Sequence, residues 1–262
     1  MPSSALQVAR TGLEAQDTRM RVISNNLANV STTAFKRDRA NFATLAYQDA
    51  RVAGAQSSTE TAYATGLNLG TGVAIQSTTR NESQGTLQTT GNAFDLALDG
   101  DGYFQVSLPG GQLAYTRAGN FSRTAEGQLV TSQGYAVQPP ITVPEGATSI
   151  TVSDDGTVSA QLAGQSEPSQ LGQITIASFT NPVALQASSD NFMLETAGSG
   201  QAQIGNAGEQ GRGHIRQGML ETSNVNVVEE LVDMIETQRA YEINSKMISA
   251  VDEMLRNANQ TL

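Results

Sequence analysis

The chain has 262 residues, with no Cys, no Trp, one His (His214) and a net charge of −10 at pH 7. Without Cys there is no disulfide framework, thiolate metal site or cysteine nucleophile, and a lone His excludes a His-rich metal site. The acidic balance argues against general nucleic-acid binding, which needs a basic face.

No window approaches the length of apolar chain that spans a bilayer, so no membrane insertion is predicted. Residues Met1–Arg10 carry no apolar run of the signal-peptide kind, so no cleaved secretory signal is expected. The charge is uneven. Residues 1–51 hold seven basic and four acidic side chains, while residues 219–262 hold three basic and eight acidic ones. The two ends are therefore opposite in sign, and both read as helices.

The first predicted element runs from Ser3 to Val30. Leu6, Leu13, Met20 and Leu27 recur every seven residues. A second row, Ala9, Gln16, Ile23 and Val30, is offset by three, the a/d spacing of a coiled-coil seam with one polar member. Residues 31–69 are polar and read as an extended connection that fits neither helix nor strand. They include the stretch Tyr47–Gly66, which lacks both a helix period and the apolar content for a core of its own.

A β-rich body is expected over 70–196. Its strands are Val73–Thr78, Phe94–Leu98, Tyr103–Leu108, Leu113–Arg117, Gln128–Thr131, Ser149–Ser153, Thr157–Leu162 and Gly172–Phe179. Pro109-Gly110-Gly111 and Asp154-Asp155-Gly156 are turn sequences that fold neighbouring strands back on each other. No helical pattern interrupts the strands, so the sheet should be mostly antiparallel. Residues 197–218 hold seven glycines and read as a flexible return segment.

The last zone, 219–262, contains a second helix with Val227, Met234, Tyr241, Ile248 and Leu255 in a seven-residue row, and Leu231 and Val251 beside it. Thr222, Ser223 or Asn224 is placed to cap it. Glu229, Glu230 and Asp233 suit the positive end of its dipole. The fold class predicted is therefore α+β: terminal coiled-coil helices packed together, with a central antiparallel β domain. One narrow seam returns less than the ordering of two long helices costs, so the termini are expected to order on assembly.

Candidate chemistry is sparse. Asp99-Gly100-Asp101-Gly102 resembles half a calcium loop, but the twelfth position, where a Glu is required, is Gly110. Gly70-Thr71-Gly72 and Gly211-Arg212-Gly213 lack the third Gly of a nucleotide-binding turn. His214 reads as solvent-facing. No catalytic residue, metal site or cofactor is predicted. Carboxylate pairs in the β body leave a secreted β-domain carbohydrate hydrolase as the alternative from another class.

Three stretches carry a resemblance. Ser24-Asn25-Asn26-Leu27-Ala28-Asn29-Val30-Ser31-Thr32-Thr33-Ala34-Phe35-Lys36 closely resembles the signature of bacterial flagellar axial proteins, the rod and hook family. Ala34 stands where that family usually has Gly, which makes a positive φ less expected. Glu221-Thr222-Ser223-Asn224-Val225-Asn226-Val227, then Gln238-Arg239-Ala240-Tyr241-Glu242, is similar to the family's C-terminal motif. Tyr103-Phe104-Gln105-Val106 and Tyr115-Thr116-Arg117-Ala118-Gly119-Asn120-Phe121 resemble its shared β domain. Chain length and the stretch 47–66 resemble the distal rod branch. Proximal rod and hook subunits, the nearest alternatives, lack a comparable insertion.

The resemblance implies a structural subunit, not an enzyme. Such subunits are exported unfolded by the flagellar type III apparatus and polymerise into a hollow tube across the periplasm that carries motor torque to the hook. The implied partners are copies of itself, proximal rod subunits, hook protein, surrounding ring proteins and the export apparatus. The helices would pair in the inner wall. Subunit contacts are expected at Leu6, Leu13, Met20, Ile23, Leu27, Val30, Val227, Leu231, Met234, Tyr241, Ile248, Val251 and Leu255. The lack of Cys suits a chain that must thread a pore and then meet an oxidising compartment.

Overall fold

A computed structural model describes residues 2–52, 54, 56, 63–163 and 167–260; the side chains of residues 2–4, 255 and 258–260 fall outside that description. The architecture is α+β, with a helix at each end and a central antiparallel β domain. The chain divides into two units. Unit 1 comprises Met1–Leu27, Asp38–Thr79 and Asn226–Leu262, and unit 2 comprises Ala28–Arg37 and Arg80–Val225.

Unit 1 holds α1 (Pro2–Ala28), β1 (Asp38–Thr44), β2 (Tyr47–Arg51), β3 (Leu67–Gly70), β4 (Val73–Arg80) and α2 (Val227–Gln260). Three strands thus occupy the segment read from sequence as neither helix nor strand. β1 pairs with β4, and β2 pairs antiparallel with β3, Gln48 opposite Leu69. The Leu45 amide donates to the Gly72 carbonyl at 3.0 Å, so the two pairs follow one another as a single ribbon. The ribbon reaches α1 at Gly72, whose φ is +120°. A side chain there would collide with the Thr11 hydroxyl, which accepts the Val73 amide at 3.3 Å.

Both helices are where their heptads place them, but the cap is not. Asn226 caps α2: its Oδ1 accepts the Val228 amide at 3.1 Å and its carbonyl accepts the Glu230 amide at 3.0 Å. Asn224, one of the expected caps, spends its amide elsewhere, as shown below.

Unit 2 starts with β5 (Leu87–Thr89), β6 (Leu96–Asp99), β7 (Tyr103–Ser107), β8 (Leu113–Thr116), β9 (Ser122–Arg123), β10 (Leu129–Val130) and β11 (Ala136–Gln138). Next come β12 (Ala147–Val152), β13 (Thr157–Leu162), β14 (Ser169–Gln173), β15 (Thr175–Ser178), β16 (Gln186–Ala187) and β17 (Met193–Leu194). The return segment adds β18 (Gln203–Asn206), β19 (His214–Gln217) and β20 (Met219–Glu221). Both expected hairpins form: β7 pairs with β8 around the Pro109-Gly110-Gly111 turn, and β12 with β13 around Asp154-Asp155-Gly156. The stretch read as one strand over 172–179 divides into β14 and β15.

The glycine-rich segment is not a loose connection. β19 pairs antiparallel with β6, Ile215 opposite Leu98, and β20 pairs with β5. Glycine serves close approach here: a Cβ on Gly213 would sit 2.6 Å from the Asp99 carbonyl oxygen. Leu96, Leu98, Phe104, Phe121, Val137, Ile174, Ile176 and Ile215 form the centre of the core, with Phe104 and Phe121 edge to face at 5.2 Å.

Ala34 takes φ = +55° and is buried, so the methyl group does not prevent the left-handed conformation expected only of Gly. Its amide donates to the Glu221 carbonyl at 2.8 Å, which holds the backbone there. Replacing Ala34 with Gly removes both a backbone penalty and a buried methyl, so stability should stay within about 1 kcal/mol of wild type. Ala34→Val, β-branched at positive φ in a closed site, should cost at least about 2 kcal/mol. Urea unfolding midpoints check the pair; equal midpoints for Val and Gly would contradict this backbone assignment.

Candidate functional site

Unit 2 buries a charge cluster built from one residue of each family-like stretch. The Lys36 Nζ donates to Glu221 Oε1 at 2.6 Å and to the Ser83 carbonyl at 2.8 Å. Arg117 Nε donates to Glu221 Oε2 at 2.9 Å, while its Nη1 and Nη2 reach the carbonyls of Gly102 and Gly100. The Gly85 amide also donates to Glu221 Oε1, at 2.8 Å. The side chains of Lys36, Arg117 and Glu221 are 3%, 6% and 0% exposed.

Burial alone would raise the Glu221 pKa, but the Arg117 guanidinium and the Lys36 ammonium outweigh it and hold the carboxyl below its ordinary value. Burial, then repulsion from Arg117, pushes Lys36 below its ordinary value, against the pull of Glu221. Tyr103 is driven up by burial and by Glu82, to which its hydroxyl donates at 2.8 Å. The cluster offers no open position at which a substrate could react; its chemistry is that of a closed structural lock.

The surrounding motif residues tie backbone. Asn224 Oδ1 accepts the Arg37 amide at 2.7 Å, and its Nδ2 donates to the carbonyls of Asn81 and Ser83, each at 2.9 Å. Asn191 Nδ2 donates to the Thr33 carbonyl at 3.1 Å; nothing in the sequence singled that residue out. Ser223 Oγ accepts the Val225 amide, and Asn29 Oδ1 accepts the Thr32 hydroxyl. Phe35 and Val225 are buried.

Unit 1 is built on different terms. Asn26 donates to Glu230 Oε2 at 3.2 Å and exchanges two bonds with the Asp38 backbone. Arg19 pairs with Asp233 at 3.2 Å, and Gly12 lies against Asn244. These contacts run in opposite directions along α1 and α2, so the helices are antiparallel. The buried row on α2 includes Glu230, Thr237 and Val251, spaced by seven and fourteen residues.

The apolar row expected at the seam is placed unevenly. Ile23 and Val251 are buried. Leu6, Leu13, Met20, Leu27, Val30, Met234 and Ile248 are half-buried. Val227, Leu231 and Tyr241 are exposed, as is Arg239, while Ala240 is half-buried and Asn25 and Ala28 are exposed. The Leu255 side chain lies outside the described residues. Among those residues, Ala9, Ala15, Ile23 and Val251 are the buried apolar side chains of unit 1. All but three of the exposed large apolar side chains (Leu113, Val183 and Ile204) also belong to unit 1.

Trypsin should therefore cut a monomer early at Arg10, Arg19 and Arg21. Lys36 should be spared, because its side chain is sealed in the cluster. The surviving fragment should begin at Val22, after Arg21, and keep the bond after Lys36 intact; early cleavage after Lys36, read by mass spectrometry, would contradict this.

No helix is long and apolar enough to cross a membrane, and no metal-ligand group is present among the described residues. Three family models match: the flagella basal body rod protein model over residues 6–36, the flagellar hook protein FlgE/F/G D1 domain over 97–160, and the flagellar basal body rod FlgEFG protein C-terminal model over 216–261. The chain is 49% identical over 256 residues to the flagellar basal-body rod protein FlgG of Buchnera aphidicola subsp. Acyrthosiphon pisum, with 98% of each chain covered. It is 48% identical to FlgG of Caulobacter vibrioides, again with 98% of each covered. Against FlgF of that same organism the identity drops to 33%, over 96% of each. The motif residues that close the buried cluster and the end-to-end similarity agree: the chain belongs to the FlgG-type flagellar basal-body rod proteins, a family of structural subunits of the flagellum and not of enzymes.

Proposed function

We propose that the chain is the distal rod subunit, which assembles with copies of itself into a hollow helical shaft that carries motor torque to the hook. The observation that carries this is the concentration of exposed apolar side chains in unit 1. Val227, Val228, Leu231, Val232, Ile235, Ile243 and Met247 lie on one helix, more apolar surface than a folded chain leaves in water without use. Packing against neighbouring copies, in the manner of a coiled coil, would cover these faces together with Leu6, Leu13, Met20, Leu27 and Ile248. Export through the flagellar type III apparatus without a cleaved signal, a position in the periplasm, and contacts with proximal rod subunits, hook protein and the surrounding rings belong to the same reading.

The stretch 47–66 is proposed as the stiffening element. Its described residues include β2, and β2–β3 exposes Tyr47, Val52, Leu67 and Leu69. A two-stranded ribbon is marginal alone and gains from lying on other copies. Deleting residues 47–66 should leave tubes that form but bend. Persistence length measured from micrographs tests this. A value equal to wild type would place stiffness in the helices instead, and a deletion variant that forms no tubes would make the stretch an assembly element.

A further inference from the structure

Three stretches of unit 2 abut its boundaries with unit 1 in sequence: residues 28–37, 80–86 and 219–225. Their own ends are joined by a dense set of bonds. The Arg37 carbonyl accepts the Asn81 amide at 2.8 Å, and the Arg37 amide meets Asn224. Asn224 in turn holds the carbonyls of Asn81 and Ser83. Glu221 receives the Gly85 amide and the Lys36 ammonium on its carboxylate, and the Ala34 amide on its carbonyl. The Thr222 amide donates to the Thr86 carbonyl at 2.9 Å. Each stretch thus bonds to both others, and two side chains of the last stretch to be made, Asn224 and Glu221, each reach both of the other two.

We infer that Asn224 and Glu221 form a clamp that binds these three stretches into one cooperative unit, so that they separate together or not at all. The buried charges explain the cooperativity. Releasing any one stretch removes a partner of Lys36 or Glu221 while burial persists, and a half-satisfied buried network is worse than an open one. The stretches are also the covalent routes by which any twist applied to the end helices enters unit 2. On the rod reading above, on which this part alone rests, the clamp keeps that twist from peeling the routes apart one by one.

Hydrogen exchange on the full-length protein tests the clamp directly. In a series of low denaturant concentrations, the amides of Ala34, Arg37, Asn81, Gly85 and Thr222 should share one opening isotherm, distinct from that of Val106 in the central sheet. In Asn224→Ala, or in Asn224→Asp if that variant folds poorly, all five should speed up by the same factor, at least about tenfold. Separate isotherms for the five amides, or acceleration of Arg37 alone, would overturn the clamp.

A second arm concerns torque. Cells whose distal rod subunit carries Asn224→Ala should swim as wild type in dilute medium and more slowly in viscous medium. Equal swimming in both would overturn the torque role with the clamp intact. Failure of the unmodified chain to support any motility would overturn the rod reading itself.

Discussion

Glu221→Gln is expected to lower the melting temperature of the β unit more than any surface substitution would. The change is nearly isosteric, so packing is kept. What is lost is the one carboxylate bonded to both Lys36 and Arg117, whose side chains are almost fully buried. Breaking a buried pair by removing one partner costs about 3–5 kcal/mol, because the remaining charges stay desolvated. For a unit of this size that is a drop of roughly 10 °C.

The pH dependence follows from the same geometry. A carboxyl held below its ordinary value stabilises the fold above the unfolded range, and that contribution disappears as pH falls through the folded pKa. Wild type should therefore lose stability below about pH 4, and Glu221→Gln should lose less over that window. Thermal melts across the acid range check both statements; a melting temperature unchanged by Glu221→Gln would show that the cluster is not a stabilising lock.

Leu27→Asp and Ile248→Asp should abolish polymerisation while the β unit melts as before. Both side chains are half-covered within the chain, leaving surface for a neighbour to close. A carboxylate sealed at that contact costs several kcal/mol, which raises the concentration needed for assembly at least about 100-fold. Sedimentation and swimming assays are the readouts. Variants that assemble at wild-type concentrations would show that these positions face solvent in the polymer.

The parts legible from sequence are those with local signals. Heptads at Leu6–Leu27 and Val227–Ile248 marked both helices, and alternating residues with Pro109-Gly110-Gly111 marked the β7–β8 hairpin. Where pairing is distant, the signal vanished. β19 carries Ile215 among glycines and looks like loop until Leu98 is opposite it. The polar strands β1, β2 and β3 have no strand alternation that one sequence reveals, although Val73–Thr78 marked β4. Lys36, Arg117 and Glu221 each stood in a quoted motif, yet the bonds joining them span 104 and 185 residues. The antiparallel contact of α1 with α2 uses Asn26, Glu230, Arg19 and Asp233, polar residues that a search for apolar rows passes over. The apolar rows were real, but within one chain several of them remain uncovered.

Electron micrographs of the purified full-length protein, concentrated under assembly conditions, bear most directly on whether this chain is a rod subunit that builds a shaft from itself. Straight hollow tubes of uniform diameter, with the trypsin sites at Arg10, Arg19 and Arg21 protected in the assembled fraction, are the predicted result. Protein that stays monomeric at every concentration, with those sites still open, would contradict it.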